Sequence, residues 1–140
     1  LDWKISPTTL ENELPTNAVR LSTFPAARYL NAFDATISAV GYNSFHEATA
    51  TGLPAIYIPN ENPSQDNQLA RAAFAARHGA AILVRHDRPE ELISALEHIL
   101  VPGNREAMSL AAKSLAFENG ALKAAKLVTQ FVNCSRGAKV

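Results

Sequence analysis

The sequence predicts an α/β domain built on a parallel sheet with helices flanking it. Three observations predict it. Short apolar, β-branched runs alternate with longer segments of helical periodicity, the pattern of βαβ units. The run 80–84 is almost wholly apolar, as in strands buried on both faces. A single glycine, Gly41, separates the run 35–40 from the helical pattern after it, in the strand–turn–helix arrangement where α/β folds hold phosphate.

Taken in order, residues 1–5 read as the end of a strand, and Thr8 caps a brief helix ended by Leu14-Pro15. Residues 19–22 form a candidate strand, and 26–33 a helix with Pro25 in its first turn. The strand 35–40 follows Asp34, and the helix after Ser44 stops near Gly52, a residue suited to the left-handed end of a helix. Residues 55–58 form the third strand, closed by Pro59 and a polar loop. Ser64 is expected to cap a helix over 65–77 ending at Gly79, before the strand 80–84. Asp87 with Pro89 starts a helix whose Leu92, Ile93, Leu96, Ile99 and Leu100 recur at helical spacing. Asn104 caps the next helix, and a last one runs over 121–134 after the break at Gly120. Strands alternating with helices in this way give a Rossmann-like parallel sheet, with ligands beyond the carboxyl ends of its strands.

Composition narrows the function classes. With 47% hydrophobic and 19% charged residues and a net charge of zero, this is ordinary globular composition. The basic residues are scattered, so no nucleic-acid partner is expected. The one cysteine, Cys134, forms no internal disulfide, which fits the reducing cytoplasm. No apolar run reaches transmembrane length and no signal peptide is visible. The opening Leu1-Asp2-Trp3 lacks an initiator Met, so a processed chain or a piece of a longer one is expected.

Two stretches carry candidate chemistry. In Gly41-Tyr42-Asn43-Ser44-Phe45-His46-Glu47, the glycine lets a ligand approach the backbone and the free N–H groups of the helix start point at it. Asn43 and Ser44 add side-chain donors, and Glu47 can accept from two adjacent ribose hydroxyls. The same residues also fit an S-x-x-E capping box, in which Ser44 and Glu47 serve only the helix. The second stretch, around Asp66, Asn67 and Gln68, offers short polar groups that can bond sugar hydroxyls; capping is its competing reading. His46, between site residues on its helix, reads as packing or surface rather than catalysis.

Together the stretches resemble the nucleotide-sugar-binding half of the C-terminal domain of GT-B glycosyltransferases. Residues 41–48 are similar to the G-W-N-S-x-x-E-A core of the UDP-glycosyltransferase signature. Gly52-Leu53-Pro54-Ala55-Ile56, Ile58-Pro59, Asp66 to Gln68 and Gly79-Ala80-Ala81 look most like the bacterial peptidoglycan N-acetylglucosaminyltransferases. The resemblance implies that Gly41, Tyr42, Asn43 and Ser44 bind the diphosphate, Glu47 the ribose, and Asp66 and Gln68 the transferred sugar. It implies that the chain at Phe24 passes the uracil ring. Two departures stand out: Ala39 replaces the plant-type His two residues before the glycine, and Asn67 separates Asp66 from Gln68, leaving open whether Asp66 or Asn67 faces the sugar.

The implied function is the donor-binding portion of an inverting, UDP-sugar-dependent glycosyltransferase for hexosyl or N-acetylhexosaminyl transfer. UDP-sugar is its substrate, with no metal and no other cofactor expected. No His–Asp or paired-carboxylate arrangement is placed to deprotonate an acceptor, so no catalytic residue is assigned. Four convincing strands also fall short of a whole GT-B C-terminal domain. A missing N-terminal acceptor domain is therefore expected, with the isolated chain inactive. The alternative is a non-catalytic UDP-sugar-binding subunit that pairs with an acceptor-binding partner chain. A UDP-sugar epimerase would need acid/base carboxylates that are not assignable, and a general α/β domain with coincidental caps would not bind UDP. Apolar surface left by missing strands allows self-association, and an apolar acceptor allows peripheral attachment at the inner face of the membrane.

Overall fold

A computed structural model of the chain describes residues 16–18, 25–62, 64, 66–116 and 120–137. The elements expected at 1–5, 8–14 and 19–22, together with Phe24, lie outside the described residues.

Among the described residues three strands form one parallel sheet in the order β1-β2-β3: β1 is Thr36–Ser38, β2 Ala55–Tyr57 and β3 Ala81–Leu83. Ile37 pairs with Ile56, and Ile56 with Ile82. Each strand is three residues long, shorter than its apolar run, although the N–H groups of Ile58 and Val84 still donate across the sheet to the Ser38 and Tyr57 carbonyls. Helices α1 (Tyr42–Thr51) and α2 (Gln68–Arg77) make the two crossovers that parallel neighbours require. Helices α3 (Glu91–Leu100), α4 (Pro102–Ser114) and α5 (Ala121–Gly137) follow β3. The segment before β1 is a 3-10 helix, Ala26–Ala32.

Strand β2 is the middle of this sheet and is buried on both faces. Successive residues point to opposite sides, and the core divides accordingly. Ala55 and Tyr57 join Phe45 of α1 and the alanines Ala72 and Ala75 of α2. Ile56 joins Val84 with Ala95 and Ile99 of α3. Helix α4 serves both, with Ala112 in the first cluster and Met108 in the second. Alanines at these contacts let helix backbone pack close to the sheet.

Several expectations are corrected. Strand β3 is not buried on both faces: Ile82 and Leu83 are half-buried, because β3 is an edge of the described sheet. Strand β1 is the other edge, and Ile37 is 49% exposed. Helix α3 begins at Glu91, after turns closed by Glu91 N–H to the Arg88 carbonyl and Leu92 N–H to the Pro89 carbonyl. Asn104 does not cap α4, which starts at Pro102. Its amide donates instead to the His98 carbonyl, and Arg105 donates to those of Ile99 and Leu100, so α4 caps the end of α3. Helix α5 lies on the surface with Leu122, Leu127, Val128 and Phe131 exposed.

Candidate functional site

The carboxyl ends of β1, β2 and β3 open onto three loops on one edge of the sheet, where ligands sit in open α/β folds. Helix α1 begins earlier than the capping box requires. Gly41 is its N-cap, with φ −58° and ψ 163°, and the Phe45 N–H already donates to the Gly41 carbonyl at 3.0 Å. Ser44 is thus the third helical residue, and Gly41, having no side chain, makes no cap bond of its own. The N–H groups of Tyr42, Asn43 and Ser44 precede the first intrahelical bond and point out of the end of α1. The capping-box reading is overturned.

Gly41 has an ordinary φ, so conformation does not demand a glycine there. What it supplies is space: a Cβ at this position would meet nothing within 4 Å. Asn43, Ser44 and Glu47 are all exposed on α1. Glu47 lies one turn beyond Asn43 and Ser44 on the same helix face. The His46 ring packs against Tyr42 (centroids 4.3 Å apart) and Phe45 (5.2 Å), consistent with a packing role.

The second loop is ordered by its own side chains. Asn62 Oδ1 accepts from both the N–H and the hydroxyl of Ser64, so Ser64 is consumed inside the loop. Asn67, not Ser64, caps α2, accepting from the Ala70 N–H at 3.0 Å. Helix α2 consequently begins at Gln68, and Asp66 stands just before the cap rather than in the first turn. Gln68 Oε1 accepts from the Asn60 N–H at 3.0 Å. With both amide oxygens engaged, Asn67 and Gln68 retain NH2 donors, while Asp66 is an acceptor only. The three are therefore complementary to hydroxyls that both donate and accept.

Arg71 unites the two stretches. One guanidinium nitrogen donates to the Val40 carbonyl at 2.6 Å and to Asp66 Oδ2 at 2.8 Å, and the other to Asp66 Oδ1 at 2.9 Å. The guanidinium also stands 5.9 Å from the Tyr42 ring centroid. Hydrogen bonding to Arg71 holds the Asp66 carboxyl below its ordinary 3.8, against a smaller opposing effect of burial. On the neighbouring loop Arg85 binds Glu61 and lowers its carboxyl in the same way. A hollow of about 330 Å3 is lined by Asn60, Asn62, Asp66, Asn67 and Gln68. A larger one, about 510 Å3, is lined by Ala39, Asn60, Glu61 and Arg85 among others. The turn from Gly41 to Ser44 and Glu47 line neither of these two hollows.

The family model for the glycosyltransferase family 28 C-terminal domain matches residues 5–128. The chain belongs to this family. Two curated relatives carry the name UDP-N-acetylglucosamine–N-acetylmuramyl-(pentapeptide) pyrophosphoryl-undecaprenol N-acetylglucosamine transferase. The one from Bacillus licheniformis is 29% identical over 114 residues, covering 79% of this chain and 31% of its own length. The one from Methylococcus capsulatus is 36% identical over 97 residues, covering 67% of this chain and 27% of its own. This family 28 chain thus spans about a third or less of these relatives. A solved structure described as the glycotransferase of kitacinnamycin superposes with a TM-score of 0.59 at 21% identity. It covers 82% of this chain, which spans 32% of that one. The fold is accordingly that of a GT-B C-terminal domain.

Within the family 28 domain, Gly41, Tyr42, Asn43, Ser44, Glu47, Asp66, Asn67 and Gln68 all lie on loops at the carboxyl ends of β1 and β2 or on the helix starts after them. Phe24 falls outside the described residues. Sequence reasoning gave no role to Arg71, Glu61 or Arg85. The only local signal was the opposite charge of Asp66 and Arg71, and nothing local points Arg71 at Val40, 31 residues earlier.

Proposed function

We propose that this chain is the donor-binding part of an inverting UDP-sugar glycosyltransferase that transfers a hexosyl or N-acetylhexosaminyl group. N-acetylglucosamine is the favoured sugar, because the curated relatives' names carry it as donor. The observation that carries the reading is the uncapped start of α1 at the carboxyl end of β1, in a family 28 domain. Breaking the bond between the anomeric carbon and UDP leaves negative charge on the diphosphate. The N–H groups of Tyr42, Asn43 and Ser44, with the positive end of the α1 dipole, meet that charge without reorganising. Glu47 accepts from the ribose hydroxyls, and Asp66, Asn67 and Gln68 hold the sugar.

The acceptor hydroxyl attacks the anomeric carbon from the face opposite UDP and loses its proton to a base outside this chain. The acceptor is held by a second domain or partner, a reading supported by the chain's spanning about a third or less of its curated relatives. The work is placed in the cytoplasm, with peripheral attachment to the membrane. Among the described residues no helix is long and apolar enough to cross it.

The test is calorimetric titration of the chain, and of a longer protein containing it, with UDP and UDP-N-acetylglucosamine, alongside Glu47→Ala. Binding that Glu47→Ala weakens tenfold or more, about 1.4 kcal/mol, supports the donor site. A folded protein that binds neither nucleotide in either form overturns it.

A further inference from the structure

We infer that Arg71 is the positioning residue that locks the phosphate turn to the sugar loop, so that nucleotide and sugar are gripped as one unit. The inference rests on the donor-site reading and assigns it a residue that neither motif contains. Arg71 reaches back 31 residues to the Val40 carbonyl. That carbonyl belongs to the same planar peptide as the Gly41 N–H, and in a trans peptide the two point in opposite directions. Holding the carbonyl toward α2 therefore aims the Gly41 N–H away from α2 and sets the plane on which the α1 start is built. The same guanidinium holds both Asp66 oxygens, in the fork geometry that only arginine supplies. Each oxygen keeps a lone pair for a ligand hydroxyl. Tyr42 closes the third side.

A stabilising role alone does not account for this arrangement. The Asp66 side chain is 49% exposed, and ion pairs that open to water add little to stability. Arg71 itself is only 18% exposed, so its head is held in one place. The contacts run from a backbone carbonyl beside the phosphate turn to a carboxylate beside the sugar. Fixing the spacing of those two points removes an ordering cost that the donor would otherwise bear on binding.

The test is calorimetry of the full chain with UDP and with UDP-N-acetylglucosamine, in Arg71→Met, Arg71→Lys and Asp66→Asn, with circular-dichroism melts to verify folding. The readout is the affinity for the nucleotide sugar relative to UDP. In Arg71→Met it falls roughly tenfold, the worth of one hydrogen bond to a charged group. Arg71→Lys restores it only in part, since one ammonium cannot grip both Asp66 oxygens and Val40. Asp66→Asn lowers it without disturbing the α2 core. Glu47→Ala weakens both ligands together and leaves the relative affinity unchanged. A relative affinity that stays at the parent value in folded Arg71→Met and Asp66→Asn overturns the role of Arg71 while leaving the donor site intact. Absence of UDP binding both by the parent chain and by a longer protein containing it overturns both.

Discussion

Arg85, just past β3, grips Glu61 in the loop after β2: its Nε donates to one carboxylate oxygen at 3.0 Å and a terminal nitrogen donates to the other. Asp87 stands 3.8 Å from the same Nε. The pair closes one side of the larger hollow and ties two strand-end loops that are 24 residues apart.

The Glu61–Arg85 bond makes stability depend on acid. Hydrogen bonding to Arg85 holds the Glu61 carboxyl below its ordinary 4.5. The pair's contribution is therefore fully present above that value and is lost as pH falls through the lowered folded value. Melting temperature measured by scanning calorimetry should fall on acidification below 4.5, and less steeply in Glu61→Gln. Both side chains touch water, so high salt should shrink the difference. Identical acid limbs in parent and variant would count against the pair.

Two glycines should respond differently to alanine. Gly52 has φ +69° at the end of α1, and a Cβ there collides with the methylenes of Lys113 on α4. Gly52→Ala should cost about 1–2 kcal/mol in urea denaturation, the usual penalty for a side chain in the left-handed region. Gly41→Ala, with φ −58° and open space ahead, should stay within about 0.5 kcal/mol, the entropy gain offset by alanine's poorer fit at a helix N-cap. If the proposed donor site is right, its methyl group stands where the diphosphate approaches, and UDP affinity should fall. Unchanged UDP affinity in Gly41→Ala would remove the phosphate from that turn.

The cap of α2 can be decided by two alanines. Asn67→Ala removes the acceptor for the Ala70 N–H and should cost about 1 kcal/mol. Ser64→Ala removes only a hydroxyl bond within an exposed loop and should stay within about 0.5 kcal/mol. Equal costs would contradict the placement of the cap.

The sheet was legible because each strand is a short apolar run between turn residues, and β2, buried on both sides, fits its run most closely. The ends were less so: Ala35 and Val40 belong to an apolar run but lie outside β1, and Ile58 lies outside β2 while its N–H still donates to Ser38. Both helix starts at the site were misread for a common reason. Ser44 and Ser64 are good caps by type, yet a cap is fixed by where the chain turns. At Gly41 it turns three residues before Ser44, and at Asn67 three residues after Ser64, whose groups Asn62 has already taken. Arg71 and Arg85 were invisible in their roles because Val40 and Glu61 come from other βα units, and no local period encodes a contact 24 or 31 residues away.

The reach of Arg71 has a consequence for folding itself. Its bond to Val40 forms only once β1, the α1 start and α2 have all docked, so a partly folded chain lacks the geometry that orients the Gly41 turn. A ligand held there recognises the complete domain and not its unfolded ensemble. By mass action, a nucleotide at a hundred times its dissociation constant then adds about 2.7 kcal/mol to unfolding. Rising nucleotide concentration should raise the melting temperature of the whole chain in a single step.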